Sequence, residues 1–356
     1  MAPGEKVIIV GAGLGGLALA ARLATHGFSV DVYEKNPLPG GRVAQKKVKG
    51  YTIDLGPTFL LMPGEFEELF SYCGKNIRDY VQWEKISPLY RLHYWNSTHL
   101  DVHADLPAMK NEFERFDPAR ASIHFQGFLD FLTHEQEKHA IVYECFITRP
   151  AHSLRQLLFS RDFPKLFSVD AFISMWENAH AFFEDDKLAL AFSFQSMYVG
   201  ESPLVAPGTY SIIPFVELTQ GVWYPHGGMQ FLVNAVEKLA KQMGVSIHYN
   251  RRVEEIIVEN GIATGVRVQN NEMKYADIVV CNLDLPAAYS KLLPARVKKK
   301  YSDKALSKLK YGCSAFMLYL GIKGDFPQLT HHNVFFDENY LENFTQIFDT
   351  REVSAR

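Results

Sequence analysis

Val7-Ile8-Ile9-Val10-Gly11-Ala12-Gly13-Leu14-Gly15-Gly16 decides how this chain is read. The β-branched run Val7 to Val10 suits a strand buried on both faces of a parallel sheet. Gly11-x-Gly13-x-x-Gly16 then supplies a turn with three separate purposes. The first glycine permits a tight bend, the second lets a pyrophosphate approach the backbone, and the third lets helix and strand pack closely. Leu17 to His26 is rich in Ala and Leu and reads as a helix that Gly27 ends. Its N-terminus offers N–H groups and the positive end of its dipole to phosphates. Val30-Asp31-Val32-Tyr33 is a second strand. Glu34 at its end is placed to hydrogen-bond the ribose hydroxyls of an adenosine, and an acid there disfavours a 2'-phosphate. Strand, glycine turn, helix, strand and acid together predict a dinucleotide-binding βαβ unit. Gly15 within the turn and Lys35 after the acid join its candidate cofactor contacts.

Further out, residues from about 60 to 225 mix aromatic-rich strands, such as Tyr90 to Tyr94, with amphipathic helices. A second ordered block begins at Gly227. Phe231, Leu232, Ala235, Val236, Leu239, Ala240 and Met243 fall at helical spacing, and Gly244 caps that helix. Val245-Ser246-Ile247 reads as a strand. Val253 to Val258 and Ala263 to Val268 read as strands about the turn Glu259-Asn260-Gly261. Ala276 to Asn282 looks like another buried strand.

The 356 residues are 47% hydrophobic and 22% charged, enough apolar content for a large core and more than one domain. A formal net charge of -3 gives no footprint for a nucleic-acid partner, and Lys298-Lys299-Lys300 reads as a solvated helix end. Cys73, Cys145, Cys281 and Cys313 form no CxxC pair and read as buried small hydrophobes in a reducing compartment. Val7 to Ala24 is apolar, but its glycines stand at turn positions and Arg22 interrupts it. No stretch is long enough to cross a bilayer, so a soluble or peripheral protein is expected.

Six residues after Glu34 comes Gly40-Gly41-Arg42. It resembles the turn that follows the acid in flavoproteins of the amine-oxidase and phytoene-desaturase superfamily. There glycine gives close backbone approach and arginine brings positive charge to the pyrophosphate. The resemblance extends over nearly all of the chain and is to the bacterial and fungal phytoene-desaturase family. Gly50 to Thr58, with Gly56, Pro57 and Thr58, looks like that family's second flavin-contact segment. Ala191 to Gln195 with Gly200 and Pro203 resembles its substrate-domain signature, and Gly221 to Met229 its turn into a long helix. Val253 matches the strand whose backbone meets the adenine. Ala276-Asp277 through Asn282-Leu283-Asp284 matches the return strand, and Tyr319-Leu320-Gly321 with Leu329 to Asn333 a later segment.

The resemblance implies an α/β fold: a discontinuous Rossmann-type FAD-binding domain over 1–65 and 222–290, with an inserted α+β substrate domain over 66–221 that resumes at 291–356. It implies FAD as cofactor, held by Gly11, Gly13, Gly15, Gly16, Glu34, Lys35, Gly41, Arg42, Gly56, Pro57, Thr58, Val253, Asn282 and Asp284. It implies an apolar, phytoene-like polyene as substrate and desaturation by loss of a hydride and a proton from neighbouring carbons. It also implies a cytoplasmic, membrane-peripheral location. Family members continue well past residue 356 into a last flavin-binding segment that Asp349 to Arg356 does not resemble, so a fragment of open activity is expected. A sister carotenoid enzyme (diapophytoene desaturase, isomerase or ketolase), a flavin amine oxidase and a non-catalytic fold stand as alternatives.

Catalytic residues stay unassigned. Glu217 and Arg155 read as surface or core-edge ion-pairing groups ahead of any substrate role. His99 and His103 fit a strand with one wet face better than a metal pair, and adjacent His331 and His332 diverge, so no metal is expected. Arg149 to Phe167, with Arg149, Arg155, Arg161 and Lys165 among Leu and Phe, reads as a packed helix ahead of an interfacial one.

Overall fold

The computed structural model describes residues 4–148, 154–298 and 301–350. The chain divides into two compact units, Met1–Lys85 with Trp223–Lys310, and Ile86–Val222 with Tyr311–Arg356. The exchanges between units therefore fall at 85 and 310, where 65 and 290 were expected. The first is later because strand Trp83–Lys85 pairs antiparallel with Trp223–Pro225, and helix Pro63–Tyr72 buries Leu69 and Phe70 in the nucleotide unit's core.

At the centre of the first unit is a four-stranded parallel sheet in the order Ile278–Cys281, Lys6–Val10, Ser29–Tyr33, Ser246–His248. Strand period sends successive side chains of Lys6–Val10 to opposite faces. Val7 and Ile9 enter one core with Leu17, Ala20 and Ala21 of helix Leu14–Thr25 and with Leu232, Val236 and Leu239 of helix Met229–Gln242. Ile8 and Val10 enter a second core with Val253, Ile256, Val266 and Val268. Those residues belong to a three-stranded antiparallel sheet, Val253–Glu259, Ile262–Val268 and Glu272–Tyr275, that covers the other face. An unbroken β-branched run is what a strand covered on both sides requires. The helix that was read from Leu17 begins at Leu14, so its first turn lies inside the glycine motif.

The second unit is built around a three-stranded sheet, in which hairpin Tyr90–His93 and His99–Val102 is joined in parallel by Asn333–Phe335. His99 and Asp101 are part-exposed while Leu100 and Val102 are buried. Helices Leu106–Phe116, Ala121–Val142 and Ile212–Gln220 accompany it. Phe113, Phe128, Phe131, Phe183 and Phe192 fill its interior, in contacts such as the stacked pair Phe183–Phe192. Of the Arg149 to Phe167 stretch, residues 149–153 lie outside the described residues, as do Lys299 and Lys300. The remainder is a short helix Leu154–Leu158 and a 3-10 turn Phe163–Ser168 rather than one long helix. Cys73 and Cys145 are buried as expected, Cys281 is half-buried, and Cys313 is exposed on an irregular stretch. No described helix is long and apolar enough to cross a membrane.

Candidate nucleotide site

Gly11 turns the chain at the end of the first strand with φ of +100°, a conformation that excludes a side chain at little strain only for glycine. A Cβ on Gly11 or Gly13 would meet nothing within 4 Å, so the loop has an open side. A Cβ on Gly16 would be driven against the Gly11 carbonyl oxygen, closer than real side chains approach. The third glycine therefore closes helix on loop, and the first two leave the backbone accessible. Gly13 stands at the helix N-cap with no side-chain cap. An open backbone at an uncapped helix N-terminus is the donor set that a pyrophosphate fits.

Glu34 is buried, and its carboxylate closes this cradle from behind. Oε2 accepts from Ala12 N at 2.9 Å and Oε1 from Asn36 N at 2.9 Å. Sequence reading gave Glu34 to the ribose alone. The structure shows a prior task, holding the glycine loop against the end of the second strand. A carboxylate has about four acceptor sites, which leaves room for ribose hydroxyls beside the two backbone donors. Lys35 next to it is exposed.

Gly40 N donates to Ala12 O at 2.9 Å, and a Cβ on Gly41 would lie 3.5 Å from the Gly13 Cα. The second glycine pair thus abuts the first loop directly. Gly56 in turn packs so tightly on the Arg42 carbonyl that no Cβ could stand there. Asp54 secures that segment: Oδ2 accepts from Tyr224 Oη at 2.7 Å and from Met229 N at 3.1 Å. Pro57 and Thr58 follow it, exposed. Arg42 does not stand as an isolated positive charge. Its Nη2 lies 2.5 Å from Asp284 Oδ1, so two residues read separately as cofactor contacts meet each other. Asn282 faces the loop as well, its Nδ2 standing 2.6 Å from where a Gly15 Cβ would be. Val253 is buried in the core under the sheet, which leaves its backbone as the part able to face a ligand. All fourteen candidates lie in the first unit. Those residues fit an FAD whose pyrophosphate meets Gly11 to Gly16 and whose ribose meets Glu34.

The second unit holds two polar clusters that the sequence did not disclose. Glu217, on helix Ile212–Gln220, is fully buried and is neither a surface group nor ion-paired among the described residues, contrary to its sequence reading. Its Oε2 accepts from Tyr90 Oη at 3.1 Å, and Gln195 Nε2 donates to that same phenol at 2.9 Å. Burial pushes the Glu217 carboxyl up to about 7, against the pull of Tyr90, Tyr198 and Gln195. Arg155 is exposed, as its sequence reading had it. The second cluster gathers His134, Glu135 and Asp170 closely enough to hold a metal ion. The buried Lys138 ammonium stands among the two acids, 2.6 Å from Glu135 Oε1 and 2.7 Å from Asp170 Oδ2. It already supplies the cation that the two carboxylates call for.

A glycine loop at a helix N-terminus, an acid behind it and a second glycine pair against it define a dinucleotide-binding flavoprotein unit. The family model for flavin containing amine oxidoreductase matches residues 14–351. A zeta-carotene-forming phytoene desaturase of Myxococcus xanthus is 41% identical over 348 residues, covering 98% of this chain and 66% of the relative. A 4,4'-diapophytoene desaturase (4,4'-diapolycopene-forming) of Methylomonas sp is 36% identical over 356 residues, covering 99% and 68%. Among solved structures, an oxidoreductase from Methanosarcina mazei superposes with a TM-score of 0.57 at 20% identity, over 85% of this chain and 64% of that one. The chain thus belongs to the flavin-containing amine oxidoreductase family and, within it, to the phytoene-desaturase group. That family is one of flavin-containing oxidoreductases, and the chain spans about two thirds of the length of the curated relatives it matches.

Proposed function

We propose that this chain carries the flavin cradle and substrate unit of a carotenoid desaturase, which takes hydrogen from neighbouring carbons of a colourless polyene. The observation that carries the reading is 41% identity, along 98% of the chain, to a relative that forms zeta-carotene from phytoene. FAD supplies the two-electron acceptor. The chain's own part is to seat that cofactor at the glycine loop and to offer an apolar unit to the polyene. A C30 substrate is the second reading, favoured by the Methylomonas relative. Pigment from a phytoene-accumulating host tests both. The expected result is colour when these residues are joined to the unmatched third of the Myxococcus relative, and colourless phytoene in cells with an empty vector. No colour from the joined chain with phytoene, but colour with diapophytoene, selects the C30 reading; colour with neither rejects the desaturase.

The proposed place of work is a membrane surface on the cytoplasmic side, where the polyene dissolves. Phe159, Phe167 and Phe172 are 82%, 69% and 72% exposed, in a stretch that also carries Arg155, Arg161 and Lys165. Exposed aromatics beside basic groups suit an anionic lipid interface. Free cysteines support the cytoplasmic side. Arg155→Glu with Arg161→Glu is expected to lower flotation with phosphatidylglycerol liposomes at least about tenfold, each charge near the surface contributing about 1 kcal/mol. Unchanged flotation rejects this surface.

A further inference from the structure

Cys145 lies in the π-helical turn Tyr143–Ile147 that ends helix Ala121–Val142, and it is 3% exposed. A thiol so enclosed ordinarily packs as a small hydrophobe. This one instead receives an ammonium. Lys165 Nζ, from the turn Phe163–Ser168, donates to Cys145 Sγ at 2.9 Å and stands 3.2 Å from Asp162 Oδ1. The lysine side chain is 43% exposed, so the pair joins an enclosed sulfur to a nitrogen that water reaches. The contacts with Cys145 and then Asp162 hold the Lys165 amine above its ordinary value, which keeps the cation in place. Cys73 gives the contrast within the chain. It is 7% exposed, and its sulfur accepts from a neutral hydroxyl, Thr25 Oγ1 at 3.4 Å.

An ammonium against sulfur favours negative charge there, and the thiolate is the form that attacks a peroxide. The same contact sets an amine nitrogen at the sulfur that oxidation would make electrophilic. We propose that Cys145 and Lys165 together are a redox modification site, which hydrogen peroxide joins by a sulfur–nitrogen bond. In the first step the thiolate attacks a peroxide oxygen. The O–O bond breaks, an S–O bond forms, hydroxide leaves, and sulfur gives up two electrons to become a sulfenic acid. The sulfur anion that held the lysine proton is then gone, and the hydroxide takes that proton to become water. The free amine attacks the sulfenic sulfur. An S–N bond forms, the S–O bond breaks, and a proton from the amine leaves with the oxygen as a second water. Each link consumes one peroxide, and a dithiol reverses it by attack at sulfur, returning thiol and amine. The group against the sulfur is an amine rather than a second thiol, which sets the fate of the sulfenic acid. The bond fastens the turn Phe163–Ser168 to the end of helix Ala121–Val142.

Peptide mass spectrometry of the chain treated with hydrogen peroxide tests this, in a Cys313→Ser background because Cys313 is exposed. After the remaining thiols are alkylated, trypsin should release 139–155 joined to 162–187, lighter by two hydrogen atoms than the separate peptides. Dithiothreitol added before alkylation should part them. Cys145 should lose its alkylatable thiol at least about tenfold faster than Cys73. Lys165→Arg keeps a cation at the sulfur but removes the primary amine. It should give no joined peptide and a Cys145 sulfenic acid that dimedone traps. Lys165→Met removes the charge as well, and Cys145 should then react no faster than Cys73. Pigment formation plays no part in these readouts, so the desaturase reading stands or falls separately. Three outcomes overturn the proposal: a link that persists in Lys165→Arg, which gives the bond to another nucleophile; a dimedone adduct on Cys145 of the parent in place of the link, which makes it an ordinary sulfenic acid site; and a parent Cys145 no more reactive than Cys73, which makes it a packed thiol and nothing more.

Discussion

Gly16→Ala is expected to loosen helix Leu14–Thr25 and to strip FAD from the chain. The added methyl would collide with the Gly11 carbonyl oxygen, and that atom belongs to the backbone at the end of a buried strand. Nothing flexible can give way, so helix and loop must separate. Forcing volume into such a contact costs about 2–3 kcal/mol, or roughly 5–10 °C in melting temperature for a unit of this size. The neighbouring glycines give the contrast. At Gly15 a methyl would meet only the amide end of Asn282, which can turn aside, so Gly15→Ala should melt near the parent. Gly13 has ordinary extended backbone, with φ of -71° and ψ of 167°, and open space where a Cβ would stand. Gly13→Val should therefore cost the flavin-free chain no more than about 1 kcal/mol, the preference for glycine over valine at a helix N-cap. It should still weaken FAD at least about a hundredfold, because the side chain would occupy the approach to the helix N-terminus. Flavin fluorescence titration and thermal melting of the flavin-free chains separate the three. A Gly13→Val chain that holds FAD like the parent would show that the open side of the loop is not the pyrophosphate seat.

The nucleotide unit was legible because local rules and global fold agree in it. Val7 to Val10, the glycine spacing and the helix Met229–Gln242 each carry their own periodicity, and each ends in a glycine that the backbone needs. What escaped sequence reading depends on contacts far apart in the chain. Gly56 against the Arg42 carbonyl, or Arg42 against Asp284, leaves no periodic trace. Glu34 was singled out for the ribose, but a carboxylate that serves backbone N–H groups looks the same in sequence as one that serves a ribose. Glu217 had a signal that was passed over. Pro214, Phe215, Val216 and Leu218 around it are all buried. A helix apolar on all sides is a core helix, and a charge within it is a core charge.

Glu217 should make the second unit less stable as pH rises. Its carboxyl is raised from an ordinary 4.5 to about 7, first by burial, with the Tyr90, Tyr198 and Gln195 side chains offsetting part of that effect. Below 4.5 the group is protonated in the folded and unfolded chains alike and contributes no pH dependence. Between 4.5 and about 7 the unfolded chain releases the proton and the folded chain keeps it, so the folded state binds more protons and loses stability with each increment of pH. Above about 7 both are ionised and the loss is complete. A displacement of this size corresponds to about 3 kcal/mol. Among the described residues Oε1 has no hydrogen-bond partner, so the retained proton is placed there. Glu217→Gln keeps the shape and an acceptor for Tyr90 Oη, and it removes the titration. Urea unfolding of parent and variant from pH 4.5 to 8 is the measurement, because every other ionisable group cancels in the difference between them. The variant should be close to the parent at the acid end and gain on it by about 3 kcal/mol at the alkaline end. Parallel curves would mean that Glu217 ionises like an exposed acid and that the Tyr90–Gln195–Glu217 cluster is open to water.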